Sequence, residues 1–327
     1  MNEMIIGIIL VILVTMLAFI LHLVLHEVGH LIAGMLSGYE FVFIRFGSYT
    51  LLNDNGKLKF TQFNVPGTAG QCIMKPPSYD KFRFRLYLSG GIIMNALLSL
   101  AGILLFMLSK YEILEILGFE LFYMGICFVL MNGLPLKIGG IVNDGYHVFR
   151  IKKDDIRKLY QQLMVGCLDI EGCTFSDMDD SLFECDIHNT SYFYDSYLIS
   201  MNGFRCMEKG NYVEAKILFR SLLDDKKCIE LFKLNSKMML ILLEVVDHGL
   251  EADIEYLIDK KLLKVIKAQK LDLLSLLTYY SLLLKNKDMK ALTIEKQFLK
   301  QTELVVEKGE VPLFKELYKE IKNKKST

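Results

Sequence analysis

His26-Glu27-Val28-Gly29-His30 stands inside an apolar run that begins at Met4 and continues through Leu31-Ile32-Ala33-Gly34-Met35-Leu36. Two imidazoles and a carboxylate in hydrocarbon cost several kcal/mol unless something recovers that cost, so an ionisable cluster at membrane depth marks a functional site. On a helix, residues four apart lie one above the other, about 6 Å apart along the axis, and both ring nitrogens reach a single metal ion. The glutamate between them projects beside that ion without ligating it, where it can serve as general base toward a water.

Working outward, three apolar spans are predicted, at about 4–36, 86–108 and 113–131. The first exceeds a bilayer core of ~30 Å and must tilt or protrude. It lacks a basic leader and a small-residue cleavage site, so it is expected to be retained as a span. No Lys or Arg precedes Arg45, whereas Arg45, Lys57, Lys59, Lys75, Lys81, Arg83 and Arg85 lie between the first two spans. Lys137, Arg150, Lys152, Lys153, Arg157 and Lys158 follow the third. The positive-inside rule then puts the N-terminus outside and the C-terminal region in the cytoplasm, for a multi-pass protein of the cell membrane.

Residues 39–74 read as a small β insertion between spans one and two. Tyr39 to Phe46 and Lys57 to Phe63 are rich in aromatic and β-branched residues, and Asn53-Asp54-Asn55-Gly56 between them is a hairpin signal. Val65-Pro66-Gly67 closes the second strand, and Ala69 to Met74 is a candidate third. From about residue 150 the pattern turns helical and soluble, so 1–150 is expected to be a membrane core and 151–327 a cytoplasmic helical domain. Gly203 and Lys209 to Phe219 carry the small and aromatic spacing of a tetratricopeptide-type helix pair, with a looser echo over Leu273 to Leu299. Leu271 to Leu284 is too short to span and is predicted as a core helix. The fold class is thus a mostly α membrane protein: a three-span core, a β insertion and an α-helical soluble domain.

Charge and cysteine content narrow the partners. Lys plus Arg number 38 and Asp plus Glu number 38, a zero formal balance that argues against nucleic acid. The seven cysteines are scattered, with no CxxC pair, and fit reduced thiols better than a disulfide framework. The run Cys167, Cys173, Cys185, His188 matches no compact zinc module. The apolar spans imply the lipid bilayer as a partner, and the helical C-terminal region a protein partner.

A catalytic zinc takes three protein ligands and keeps one position for water. Asp144 is the best candidate for the third, because it follows the helix break Asn132-Gly133-Leu134-Pro135 and Gly139-Gly140 and is flanked by apolar residues. Irregular backbone at that depth must line a cavity or be buried. His147 is a lower-ranked substitute, and a capping role for Asp144 stays open. His22 shares the helical face of the pair but lies about 12 Å from His30, too far for one metal, and reads as a buried polar residue.

Three elements in this order, HExxH at 26–30, Gly91-Ile92-Ile93-Met94-Asn95 in the second span, and Asn132-x-x-Pro135 leading to Asp144-Gly145, resemble the site-2 protease family of intramembrane zinc metalloproteases. The resemblance covers about residues 15–150. It implies zinc on His26, His30 and Asp144, Glu27 activating the water, and Asn95 and Asn132 near the cleft, holding substrate backbone or the oxyanion. Interhelical hydrogen bonding is the alternative for both asparagines. Gly133 stands where the family often has Pro, and Asn143 where Leu is common. The activity implied is hydrolysis of a peptide bond in a membrane-anchored regulator or peptide precursor near the cytoplasmic face. A substrate helix must unwind for this, and an edge strand within residues 39–74 is expected to receive the extended stretch. The alternatives are a non-catalytic membrane adaptor working through its C-terminal domain, and a metalloprotease using Glu112, Glu115 or Glu120 as third ligand.

Overall fold

The first helix, α1, spans Asn2–Leu36 with no proline to interrupt it, a length of about 52 Å. In a computed structural model, residues 2–54, 56–62, 68–138, 141–187, 193–268 and 272–324 are described. Residues 4–13 of α1 are exposed; from there Val14, Ala18, His22, His26 and His30 form a buried stripe at a spacing of four. That stripe buries the histidines inside the helix bundle, as polar groups on a helix apolar enough to cross a membrane require. Gly38 ends the helix in a left-handed conformation (φ 78°), with the Tyr39 N–H donating to Gly34 O at 3.0 Å.

α2 (Phe84–Leu108) and α3 (Glu112–Gly133) pack against α1, and among the described residues three helices are long and apolar enough to cross a membrane. Small residues permit the approach, as they do where no hydrophobic force drives helices together. Gly29 and Gly90 meet backbone to backbone, and Gly102, Gly118 and Gly125 seat α3 on α2.

The β insertion is a four-stranded antiparallel sheet ordered β3-β2-β1-β4, made of β1 (Glu40–Phe46), β2 (Tyr49–Asp54), β3 (Lys57–Gln62) and β4 (Gly70–Lys75). The expected hairpin was mispaired: the first strand turns at Gly47 (φ 59°) into Tyr49–Asp54, and it is this strand that pairs with β3. A two-residue turn needs little more than a glycine at positive φ, a weaker signal than Asn-Gly. The Asn53 side chain accepts from the Gly56 N–H at 2.9 Å, while Asn55 and residues 63–67 lie outside the described residues. β4 supplies the expected third segment, antiparallel to β1. Ile44, Cys72 and Met74 of the sheet and Tyr39 and Tyr87 form its core, with Val28 and Leu31 of α1 against them.

After α3 come the short strands Lys137–Ile138 and Ile141–Val142, then α4 (Asp144–Phe149); Gly139 and Gly140 are outside the described residues. The chain divides into two compact units, 1–156 and 157–327. The second is all helical: most of α5 (Lys153–Ile170), then α6 (Phe193–Glu208), α7 (Tyr212–Asp224), α8 (Glu230–His248), α9 (Lys260–Ala268), α10 (Leu273–Lys285), α11 (Ala291–Leu304) and α12 (Val311–Asn323). Gly203 of α6 receives the Phe219 ring of α7, where an added Cβ would come within 2.5 Å of Cζ. The apolar α10 is buried inside this unit, packed with α8 and α11.

Candidate metal centre

His26 and His30 follow each other by one helical turn on α1, and their Nε2 atoms are 3.1 Å apart. Asp144, the first residue of α4, brings Oδ2 within 3.3 Å of each Nε2. His30 Nδ1 is 3.0 Å from the Tyr87 carbonyl oxygen, which only accepts; that ring nitrogen therefore carries a proton, and the neutral ring would present a lone pair at Nε2. A lone pair, a carboxylate and a second imidazole converging on one point repel unless a cation or proton lies between them. Tetrahedral zinc with bonds of about 2.05 Å sets its ligands about 3.3 Å apart, which matches the triangle. Among the described residues these three form the group of His, Cys, Asp and Glu able to hold a metal ion.

Glycines and one asparagine build the triangle. A Cβ at Gly91 would lie 2.5–2.7 Å from Cε1, Nδ1 and Nε2 of His26, so the bare backbone of α2 is the seat of that ring. Asn143 caps α4 and ties it to the end of α3. Its Nδ2 donates to the Met131 and Leu134 carbonyls, both at 2.7 Å, and its Oδ1 accepts from the Leu136 and Tyr146 N–H groups, both at 3.0 Å. The capping role that stayed open for Asp144 is therefore taken by its neighbour. Burial by itself would raise the Asp144 carboxyl, but His30 and His26 outweigh it and hold the group below the ordinary carboxylate range. Its side chain is 21% exposed against 8% and 7% for the two histidines, so it is the most accessible of the three.

Glu27 is buried beside this group, its carboxylate against Gly70 at the start of β4, where a Cβ would come 2.6 Å from Oε1. Arg45, fully buried on β1, spans from the Gly47 carbonyl to Thr68 and closes the loop that leads into Gly70. β4 is one edge of the sheet, but its Cys72 carbonyl already accepts from the Tyr87 hydroxyl at 2.6 Å. The other edge, β3, exposes Leu58 and Phe60.

The remaining sequence candidates fall as follows. His147 stands outside the triangle, and burial pushes its imidazole down to about 4 against the pull of Asp144. Asn132 donates to the Phe128 carbonyl of its own helix at 3.1 Å. Asn95 is fully buried, its amide between His22 and His26. Glu112 and Glu115 occupy the first turn of α3, the opposite end from Asn132, and neither they nor Glu120 join the triangle. His188, and with it any second zinc with the three cysteines, lies outside the described residues. Tyr87 and Asn143 were not foreseen as supports; an amide directly before the acidic ligand was the available signal for the second.

No protein-family model, curated protein or solved structure matches this chain. What the centre can do therefore follows from its donors. Two imidazoles and a carboxylate are a donor set that suits a divalent ion able to activate water at a fourth position.

Proposed function

We propose that this chain is an intramembrane zinc endopeptidase that hydrolyses a peptide bond of a membrane-anchored regulator or peptide precursor near the cytoplasmic face. The observation that carries the reading is the convergence of His26 and His30, on a helix apolar enough to cross a membrane, with Asp144 at the start of α4, all within 3.1–3.3 Å of one another and with Glu27 alongside. Zinc held there supplies a Lewis acid and brings the pKa of a coordinated water toward about 7. Glu27 takes a proton from the attacking water and returns it to the leaving amine. Its buried setting keeps bulk water from screening that transfer. A helical substrate must first give up local backbone hydrogen bonds, and addition to a sheet edge offsets that loss. The lysine and arginine distribution supports cleavage on the cytoplasmic side.

Glu27→Gln separates this reading from a non-catalytic adaptor. The variant should hold zinc at wild-type stoichiometry, and comparative membrane proteomics should reveal an uncut precursor that accumulates. A wild-type protein purified in detergent without near-stoichiometric zinc would leave the adaptor; an active Glu27→Gln protein would remove Glu27 as the base.

A further inference from the structure

His22 and Asn95 are both completely buried, and neither belongs to the ligand triangle. They form a chain that ends on it. His22 Nε2 is 2.9 Å from the Leu121 carbonyl oxygen of α3, and its Nδ1 is 3.1 Å from one end of the Asn95 amide. The other end of that amide is 3.0 Å from His26 Nδ1. A carbonyl oxygen accepts only, so Nε2 of His22 carries a proton, and the neutral ring offers a lone pair at Nδ1. That lone pair requires an N–H from Asn95. The amide must then turn Nδ2 toward His22 and Oδ1 toward His26, and Oδ1 requires the proton of His26 on Nδ1. With its proton there, His26 presents a free lone pair at Nε2, the atom facing His30 and Asp144.

In the structure the amide has the opposite sense, Oδ1 toward His22 and Nδ2 toward His26. That orientation leaves the His26 proton on Nε2, inside the triangle, and puts a second proton on His22 in an apolar span. A half-turn of the amide exchanges its two ends in place and relieves both conditions. We propose that Leu121, His22 and Asn95 form a hydrogen-bond relay that sets His26 in its metal-ligating tautomer. Asn95 and His22 are then positioning residues rather than contacts for substrate, and the relay rests on the metal reading given above. Ligating histidines commonly donate their second N–H to an acceptor, and loss of that acceptor typically weakens metal binding 10–100-fold. The geometry leaves little freedom: an added Cβ at Gly125 would come 2.7 Å from His22 Cε1.

The test is zinc affinity of the full chain in detergent, by competition with a chelator, for wild type, Asn95→Leu, Asn95→Asp and His22→Leu. Asn95→Asp keeps an acceptor for His26 Nδ1–H and should stay within about threefold of wild type. Asn95→Leu should lose about 10–100-fold, and His22→Leu a smaller factor. Asparagine 95 variants that bind equally well, or equally badly, would overturn the relay while leaving the metal site. Wild type without zinc affinity would overturn the site and the relay with it. Because a leucine in the bundle can misfold the chain, a second readout uses unmutated protein: nitrogen-15 NMR of labelled histidine in the zinc-loaded form. Zinc on Nε2 of His26 with a protonated Nδ1 is expected; zinc on Nδ1 would refute the relay.

Discussion

Gly91→Ala adds one methyl group at the point where α2 supports the His26 ring. That methyl would sit 2.5 Å from Cε1, 2.6 Å from Nδ1 and 2.7 Å from Nε2, against an ordinary contact of 3.4 Å or more. The ring or the helix must therefore yield by about 0.9 Å, while metal–ligand distances hold to about 0.2 Å. The shift points away from α2 and takes Nε2 out of the triangle. A weakening of zinc binding by about 10–100-fold follows, as expected when a ligating histidine loses its support. Alanine otherwise favours a helix by up to about 1 kcal/mol over glycine, so the site should fail without the helix failing. The control is Gly133→Ala, where the added methyl meets only Ile92 Cγ2 at 3.4 Å. Chelator competition for zinc, with thermal unfolding in detergent measured alongside, reads both effects. Undiminished affinity in Gly91→Ala, or an equal loss in Gly133→Ala, would refute the argument that this glycine seats the ligand.

Three further outcomes are expected. Asp144→Ala should abolish stoichiometric zinc and His147→Ala should retain it; metal analysis showing the reverse would exchange their roles. Asn143→Leu removes the cap bond of α4 and three hydrogen bonds to the end of α3 and the residues just after it, and should cost about 1–2 kcal/mol locally, seen as weaker zinc binding and faster proteolysis near residue 140. In the helical unit, burial, with Asp272 adding to it, pushes Glu307 up to about 7. The folded state therefore keeps a proton that the unfolded chain gives up above about 4.5, and stability declines as pH rises from there to about 7. Glu307→Gln should raise the unfolding temperature at pH 8, by the equivalent of about 1–3 kcal/mol, and leave it nearly unchanged at pH 4.5. A pH-independent difference would contradict the assignment.

Much of this chain was legible in one dimension because the relevant geometry is local. A period of 3.6 puts residues 22, 26 and 30 on one stripe of a helix whatever surrounds it, and hydrocarbon dictates that the stripe face inward. Apolar length marked the three helices, and Asn53 to Gly56 marked a turn that exists, although the strand entering it was misjudged. The spacing of Gly203 and Phe219 likewise anticipated a contact between neighbouring helices.

What only tertiary packing decided is where distant groups meet. Asp144 reaches the histidine pair because Asn143 folds the end of α3 back onto α4, and Tyr87 and Asn95 meet His30 and His26 because glycines let α2 lie almost backbone to backbone on α1. Asn95 reads in sequence like any polar residue near a cleft; its partners, His22 and His26, both come from α1. Periodicity orients a side chain about its own axis, but which proton each imidazole keeps depends on an acceptor that another helix brings.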